Sequence, residues 1–187
     1  MTKQWLCQTP NPPRIPEFYT LTKIHKPSSI GRPIVSGCDG PTEKLSSFVD
    51  KLLQPIAQQQ KSYLKDTTDF VNFIENMKVP ADVILVSTDV TSLYTNISRE
   101  EGIDTACRAY KIFYKNEPPI PTQLLKRALR LILQENSLQF YGKNYLQAHG
   151  STMGTKMAVT FSNMFMNKVE TDILSQSFLN RSFGNVP

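Results

Sequence analysis

The sequence predicts an α+β fold in which helices pack on one face of a small antiparallel sheet. Apolar residues recur at helical spacing in several long segments, whereas shorter stretches hold extended runs around turn residues. At 187 residues, with 40% hydrophobic and 20% charged side chains, the chain suits one soluble globular domain. No apolar run approaches the roughly 18 residues of a membrane span. We therefore expect an intracellular protein, nuclear or cytoplasmic, with no membrane partner.

The chain divides into an irregular N-terminal arm, a domain and a tail. Prolines crowd residues 1–18, which disfavours regular structure there. We expect the domain over residues 19–175, and residues 176–187 are interpreted as a truncated tail. At the start of the domain, residues 19–37 hold two short extended segments around a Pro-Ser-Ser-Ile-Gly turn, which predicts a basic hairpin.

Two helices and a strand are predicted next. Residues 40–56 predict a helix that Pro55 kinks or ends, with an apolar face of Leu45, Phe48, Val49, Leu52, Leu53 and Ile56. Residues 66–77 predict a shorter helix capped by Asp66, with inward-facing side chains at Phe70, Phe73, Ile74 and Met77. The β-branched run in residues 81–90 predicts a buried strand that ends near Asp89.

The second half of the chain predicts three further helices and a hairpin. Ser98 and Glu101 match an S-x-x-E capping box, which predicts the start of a helix there. Residues 122–136 predict another helix, with basic residues on one side. Residues 137–147 predict a hairpin that turns at Gly-Lys-Asn, and residues 156–174 predict a long helix.

The positive charge is concentrated in two stretches of the chain. The formal net charge is +5, but residues 1–32 alone carry +4 and residues 108–130 carry +5. The remaining residues must therefore sum to −4. Two basic patches on a mildly acidic body suit a polyanionic partner such as nucleic acid or a nucleoside triphosphate. The alternative is that these basic residues only form water-exposed faces of helices and bind no partner.

Cysteine and histidine usage argues against several kinds of site. The three cysteines are widely spaced and form no Cys-x-x-Cys pair, and the chain has only two histidines. This pattern favours neither a disulfide scaffold nor a zinc knuckle, and it gives no histidine-based metal site.

Asp89 has three interpretations. It could simply end a strand or cap a turn, as aspartate often does. It could be the nucleophile of a phosphatase of the haloacid dehalogenase type, but the second aspartate expected two residues later is Thr91. It could also be a metal ligand in a two-metal polymerase site, since hard cations prefer oxygen ligands. In that case Tyr94 could lie under the sugar of the incoming nucleotide and exclude a 2′-hydroxyl.

Four ordered blocks favour the third interpretation. "YTLTKIHKP", "GRPIVSG", "STDVTSLYTNI" and "AHGSTMGTKMA" occur in this order between Tyr19 and Ala158. Together they resemble the reverse-transcriptase domain of Penelope-like retroelements, a likeness that extends to about Glu170. The first two blocks resemble the fingers, the third resembles polymerase motif A and the fourth resembles motif B. The resemblance implies a partial right-hand polymerase fold, made of the fingers and the first part of the palm.

The resemblance also implies a role for individual residues. Asp89 is the expected catalytic metal ligand, and the carbonyl of Val90 completes the shell of the second ion. Tyr94 is the expected steric gate against ribonucleotides. The triphosphate is expected to be neutralised by Arg32 together with Lys23 or Lys26. The loop under the nascent base pair is expected to be lined by Gln147, Gly150 and Gly154; we call residues 150–154 the glycine loop. The implied cofactor is Mg²⁺ or Mn²⁺, and the implied partners are an RNA template, a DNA primer and a dNTP.

The sequence also departs from the family pattern. Reverse transcriptases need an Asp-Asp pair after motif B, and this sequence contains no Asp-Asp pair. Val159 also stands where many relatives have proline. We therefore expect a partial RNA-directed DNA polymerase domain that is inactive alone and that lacks part of the palm and the thumb. The alternatives are a non-catalytic nucleic-acid-binding remnant and an unstable fragment without function.

Overall fold

The computed structural model describes residues 12–24, 31–80, 82–84, 86–151 and 153–176. These residues form six helices and four strands, a mixed α/β architecture that confirms the predicted class. The strands are β1 (Phe18–Thr22), β2 (Gly31–Val35), β3 (Ser137–Phe140) and β4 (Lys143–Leu146). The helices are α1 (Glu43–Ala57), α2 (Thr67–Glu75), α3 (Leu93–Asn96), α4 (Arg99–Phe113), α5 (Thr122–Gln134) and α6 (Ala158–Gln176).

The core lies between four helices, α1, α4, α5 and α6, which pack against one another. The predicted face of α1 is buried at Val49, Leu52, Leu53 and Ile56, whereas Leu45 and Phe48 are partly buried. The largest fully buried side chains include Leu53, Tyr110, Leu125, Leu129, Ile132, Leu133, Met157, Phe161 and Met164. The Tyr110 hydroxyl remains satisfied because it accepts from the Ile120 N–H at 3.1 Å and donates to the Ile120 carbonyl at 3.0 Å. Burial of these side chains is the main source of stability in this part of the chain.

Helix α4 begins where predicted, but the capping box is not formed. Ser98 is the N-cap residue, and its side chain makes no capping hydrogen bond. Glu101 instead accepts a hydrogen bond from Lys168 Nζ on α6 at 2.8 Å. The carboxylate is therefore used to join two helices, a tertiary contact that the local S-x-x-E pattern does not reveal.

The strands form two separate two-stranded antiparallel sheets, so the prediction of one sheet under the helices is wrong. The antiparallel pairing of both predicted hairpins is confirmed, with Phe18 opposite Val35 in one and Ser137 opposite Leu146 in the other. The predicted turn of the first spans residues 27–31, of which 27–30 lie outside the described residues. The second turns at Tyr141 and Gly142, which both have positive φ, one residue earlier than predicted. The hairpins touch through the Gln139 N–H, which donates to the Pro16 carbonyl at 2.8 Å.

The segment between α1 and α3 departs most from prediction. The described residues of the predicted strand 81–90 (82–84 and 86–90) form no strand. They are exposed, and the relative solvent exposure is 84% for Ile84 and 80% for Val86. Within the described ranges no strand lies alongside to pair their backbone groups, and an unpaired strand is not stable. Helix α2 has the predicted cap, since Asp66 Oδ1 accepts from the Asp69 N–H at 2.9 Å.

The predicted inward face of α2 is wrong. All four apolar residues assigned to it are exposed, namely Phe70, Phe73, Ile74 and Met77. Helical spacing shows that apolar side chains share a face, but a second element must cover that face before it is buried. Among the described residues, none in α2 is buried.

A search of the described residues for a helix long and apolar enough to cross a bilayer finds none.

The close contact between α4 and α6 depends on Gly102. A Cβ atom at this position would lie 2.5 Å from Cζ of the buried Phe161 ring. Alanine is the better helix former by roughly 1 kcal/mol, but overpacking a core costs about 1–3 kcal/mol. We expect Gly102→Ala to lower the free energy of unfolding by about 1 kcal/mol, measured by denaturant titration.

A second substitution tests the cause. Phe161→Leu removes the ring atoms that meet the new methyl group, so it should be less destabilising in the Gly102→Ala background than in the original chain. Additive effects of the two substitutions would contradict a steric origin.

Candidate functional site

On one side, the glycine loop contacts the turn that carries Tyr94. The Ser151 N–H donates to the Tyr94 carbonyl at 2.7 Å. Gly150 has a φ of +71°, and a Cβ atom there would lie 2.5 Å from the Tyr94 carbonyl oxygen and 2.6 Å from Thr95 Cα. Only glycine allows both this conformation and this approach. Tyr94 lies in the short helix α3 and is half-buried.

On its other side, the glycine loop contacts the end of β2. The Val35 N–H donates to the Met153 carbonyl at 2.9 Å. Gly154 has a φ of +124°, and a Cβ atom there would overlap the Val35 carbonyl oxygen. Gly37 approaches the same place, since its own Cβ would lie 3.1 Å from the Gly154 carbonyl oxygen. The loop is therefore held between two segments that are more than fifty residues apart in sequence.

Arg99, at the start of α4, fixes the entry to the loop. Its Nε donates to the Gly150 carbonyl at 2.8 Å, and its Nη2 donates to the Gln147 carbonyl at 2.7 Å. Burial lowers the pKa of the guanidinium, which nevertheless stays charged at any physiological pH. Sequence reasoning missed Arg99 because its partners lie about fifty residues away, and no local pattern marks it.

Gln147 helps to set the shape of the loop. Its side-chain amide donates to the His149 carbonyl at 2.7 Å and to the Ser151 carbonyl at 3.3 Å. The residue therefore lies beside the loop, with its amide hydrogen atoms directed at the loop backbone.

Helix α1 holds the far end of the loop. The Met157 N–H donates to the buried Ser46 Oγ at 3.0 Å, and the Thr160 hydroxyl donates to Asp50 Oδ1 at 2.5 Å. These two contacts fix the first turn of α6 on α1. The loop therefore connects two points of the rigid helical core, which restricts its conformation.

Ser151 carries an unsatisfied polar group inside the loop. The residue is buried, and its hydroxyl has no hydrogen-bond partner among the described residues. An unsatisfied buried hydroxyl costs about 1–3 kcal/mol, and such groups in native structures often serve a function. Ser162, on α6, is the other buried side chain of the described residues with such a group.

The two described basic residues of the predicted site lie on the first hairpin. Arg32, on β2, is opposite Leu21 and is exposed, and Lys23 directly follows β1. Arg32 precedes Val35 by three residues, so its backbone lies roughly 10 Å along the strand from the contact with Met153. Lys26 lies outside the described residues. Both described cations are therefore at the end of the hairpin away from the glycine loop.

Asp89 and Val90 are exposed in the irregular segment before α3. The ion pairs between described residues do not involve Asp89. The described residues contain no group of three or more His, Cys, Asp or Glu side chains arranged to hold a metal ion. Two adjacent divalent ions need more carboxylates than Asp89 alone supplies.

Comparison of the chain with protein-family models gave no match, and comparison with curated proteins gave none either.

Gly150 and Gly142 offer a matched pair of substitutions, because both have a φ of +71°. A Cβ at Gly142 would meet nothing within 4 Å, whereas one at Gly150 would meet the backbone of Tyr94 and Thr95. Both alanine variants carry the same backbone strain, and only Gly150→Ala adds a clash.

We expect Gly150→Ala to lower the free energy of unfolding by about 1–3 kcal/mol more than Gly142→Ala, measured by denaturant titration. Hydrogen exchange should show that the Ser151 amide loses protection in Gly150→Ala alone. Equal losses of stability in the two variants would contradict the close approach of the loop to Tyr94.

Proposed function

We propose that this chain carries the nucleotide-binding half of a reverse-transcriptase domain of the Penelope-like type, an RNA-directed DNA polymerase of a retroelement. In this proposal the glycine loop lies under the nascent base pair, and the Tyr94 ring contacts the sugar of an incoming dNTP. Arg32 and Lys23, with Lys26, neutralise the triphosphate. The partners are then an RNA template and a DNA primer.

The observation that carries the proposal is the contact between three of the blocks on which the resemblance depends. The end of β2, the Tyr94 turn and the glycine loop meet through two backbone hydrogen bonds, Val35 to Met153 and Ser151 to Tyr94. A chance likeness among short sequence blocks does not require these segments to be neighbours. A polymerase site does require it, because the base and the sugar of an incoming dNTP belong to one small molecule.

Ser151 provides independent support. Its buried hydroxyl lacks a partner among the described residues and lies next to the Tyr94 carbonyl contact. The hydroxyl is fully buried in the free chain, so the sugar hydroxyl and base groups of a nucleotide complete its hydrogen bonding only if binding exposes it. Arg32 adds a planar fork suited to two phosphate oxygens, and Lys23 adds a mobile point charge.

A divalent cation belongs to this proposal as a partner of the nucleotide. Asp89 and the Val90 carbonyl would hold a single Mg²⁺ or Mn²⁺ ion together with phosphate oxygens, and the ion would supply charge neutralisation of the triphosphate. The chain's own residues do not fit the two-ion arrangement of nucleotidyl transfer, because the sequence contains no Asp-Asp pair. The proposal for this chain is therefore binding and selection of the nucleotide.

Binding of nucleotides to the full chain tests the proposal. We expect a fluorescent dNTP to bind in the presence of Mg²⁺ and an RNA–DNA primer-template, and the matching ribonucleotide to bind more weakly. Tyr94→Ala should reduce the preference for the deoxynucleotide about tenfold while leaving its binding measurable. Ser151→Ala should weaken binding about three- to tenfold through loss of one hydrogen bond.

Ser162→Ala is the control for Ser151→Ala. Both substitutions remove a buried hydroxyl without a partner, so neither should lower the free energy of unfolding. Only Ser151→Ala should change nucleotide affinity. Nucleic-acid binding without any dNTP binding would contradict the proposal and favour the non-catalytic binding remnant instead.

A primer-extension assay tests the claim that this chain binds but does not polymerise. With Mg²⁺ or Mn²⁺ present, we expect no dNTP incorporation, because the carboxylates for the second ion are lacking. Incorporation that disappears in Asp89→Ala would show that the chain completes a catalytic site and would overturn this claim.

A further inference from the structure

A basic pocket lies away from the glycine loop, between α4 and α5. The two helices run antiparallel, since Lys126 pairs with Asp104 at 2.6 Å and Arg130 pairs with Glu100 at 2.7 Å. Beyond these pairs, a pocket of about 300 Å³ opens between the helices. It is lined by Asp104, Cys107, Arg108, Lys111, Thr122, Gln123 and Lys126.

The pocket carries an excess of positive charge. Lys126 lowers the pKa of Asp104 by a hydrogen bond and by its charge, so the carboxylate is ionised at neutral pH and cancels Lys126. The ion pairs between described residues involve neither Arg108 nor Lys111. These two cations lie one helical turn apart on α4, roughly 4.5 Å along its axis. The pocket therefore has a net excess of positive charge, and the Arg108 and Lys111 side chains are exposed to solvent.

We infer that this pocket binds phosphate groups of a nucleic-acid backbone through Arg108 and Lys111. Arginine donates two parallel hydrogen bonds to phosphate oxygens, and lysine adds a point charge at the neighbouring position. The Thr122 hydroxyl and the Gln123 amide line the opposite wall and supply neutral donors. Arg127, on the same helix as Gln123 and Lys126, is also exposed.

A nucleic-acid strand fits this surface better than a single anion does. Its phosphates repeat at fixed intervals, so adjacent cations on a rigid helix can bind neighbouring phosphates at the same time. Each such contact releases counterions from the nucleic acid. A free phosphate ion would contact only some of these cations. The inference does not depend on the proposed nucleotide site, since no residue is shared between the two.

The test compares two double variants that each remove two positive charges. Arg108→Gln with Lys111→Gln changes the pocket, and Lys78→Gln with Lys143→Gln changes exposed lysines outside it. Binding of the full chain to a short DNA duplex is measured by fluorescence anisotropy between roughly 50 and 200 mM salt. All four side chains are at the surface, so thermal unfolding should show that both variants fold.

We expect the pocket variant to weaken duplex binding at least tenfold at low salt and to reduce the slope of log K against log salt by about 1.8, or about 0.9 for each lost contact. The control variant should leave that slope unchanged. Equal effects of the two variants would mean that net charge alone matters and would overturn the inference. Displacement of the duplex by inorganic phosphate at constant ionic strength would identify a single-phosphate site and would also overturn it.

Discussion

The candidate site depends on a close approach of backbones that only glycine permits. Gly150 lies against the carbonyl of Tyr94, and Gly154 lies against the carbonyl of Val35, both with positive φ. A side chain at either position would push apart the segments that the loop joins. The two glycines therefore do more than make the loop flexible, because they let three distant segments of the chain form one surface.

The helical core keeps that surface in place. Helix α1 holds the start of α6 through Ser46, and α4 holds the entry to the loop through Arg99. Arg99 is a costly anchor, because its charge is partly buried and has carbonyl oxygens as partners instead of a carboxylate. Two charged hydrogen bonds offset that cost only while the loop keeps its shape. The geometry of the loop and the packing of the helices are thus coupled.

The distribution of charge separates structural from exposed cations. Arg130, Lys126 and Lys168 each pair with a carboxylate of α4, which ties α5 and α6 to that helix. Such exposed pairs add little stability individually, but they fix which basic residues stay available for a ligand. Arg108 and Lys111 take no part in these pairs. These two side chains therefore remain available on the α4 side of the pocket.

The sequence by itself determined the helices of the core, both hairpins and the glycine positions, because helical spacing, turn residues and short blocks are local properties. Only the tertiary structure decided what each apolar face contacts. The run before Asp89 has strand composition but finds no paired neighbour among the described residues, and α2 has an apolar face that nothing described covers. The roles of Arg99 and Ser151 were equally hidden, since burial and partners from distant parts of the chain exist only after folding.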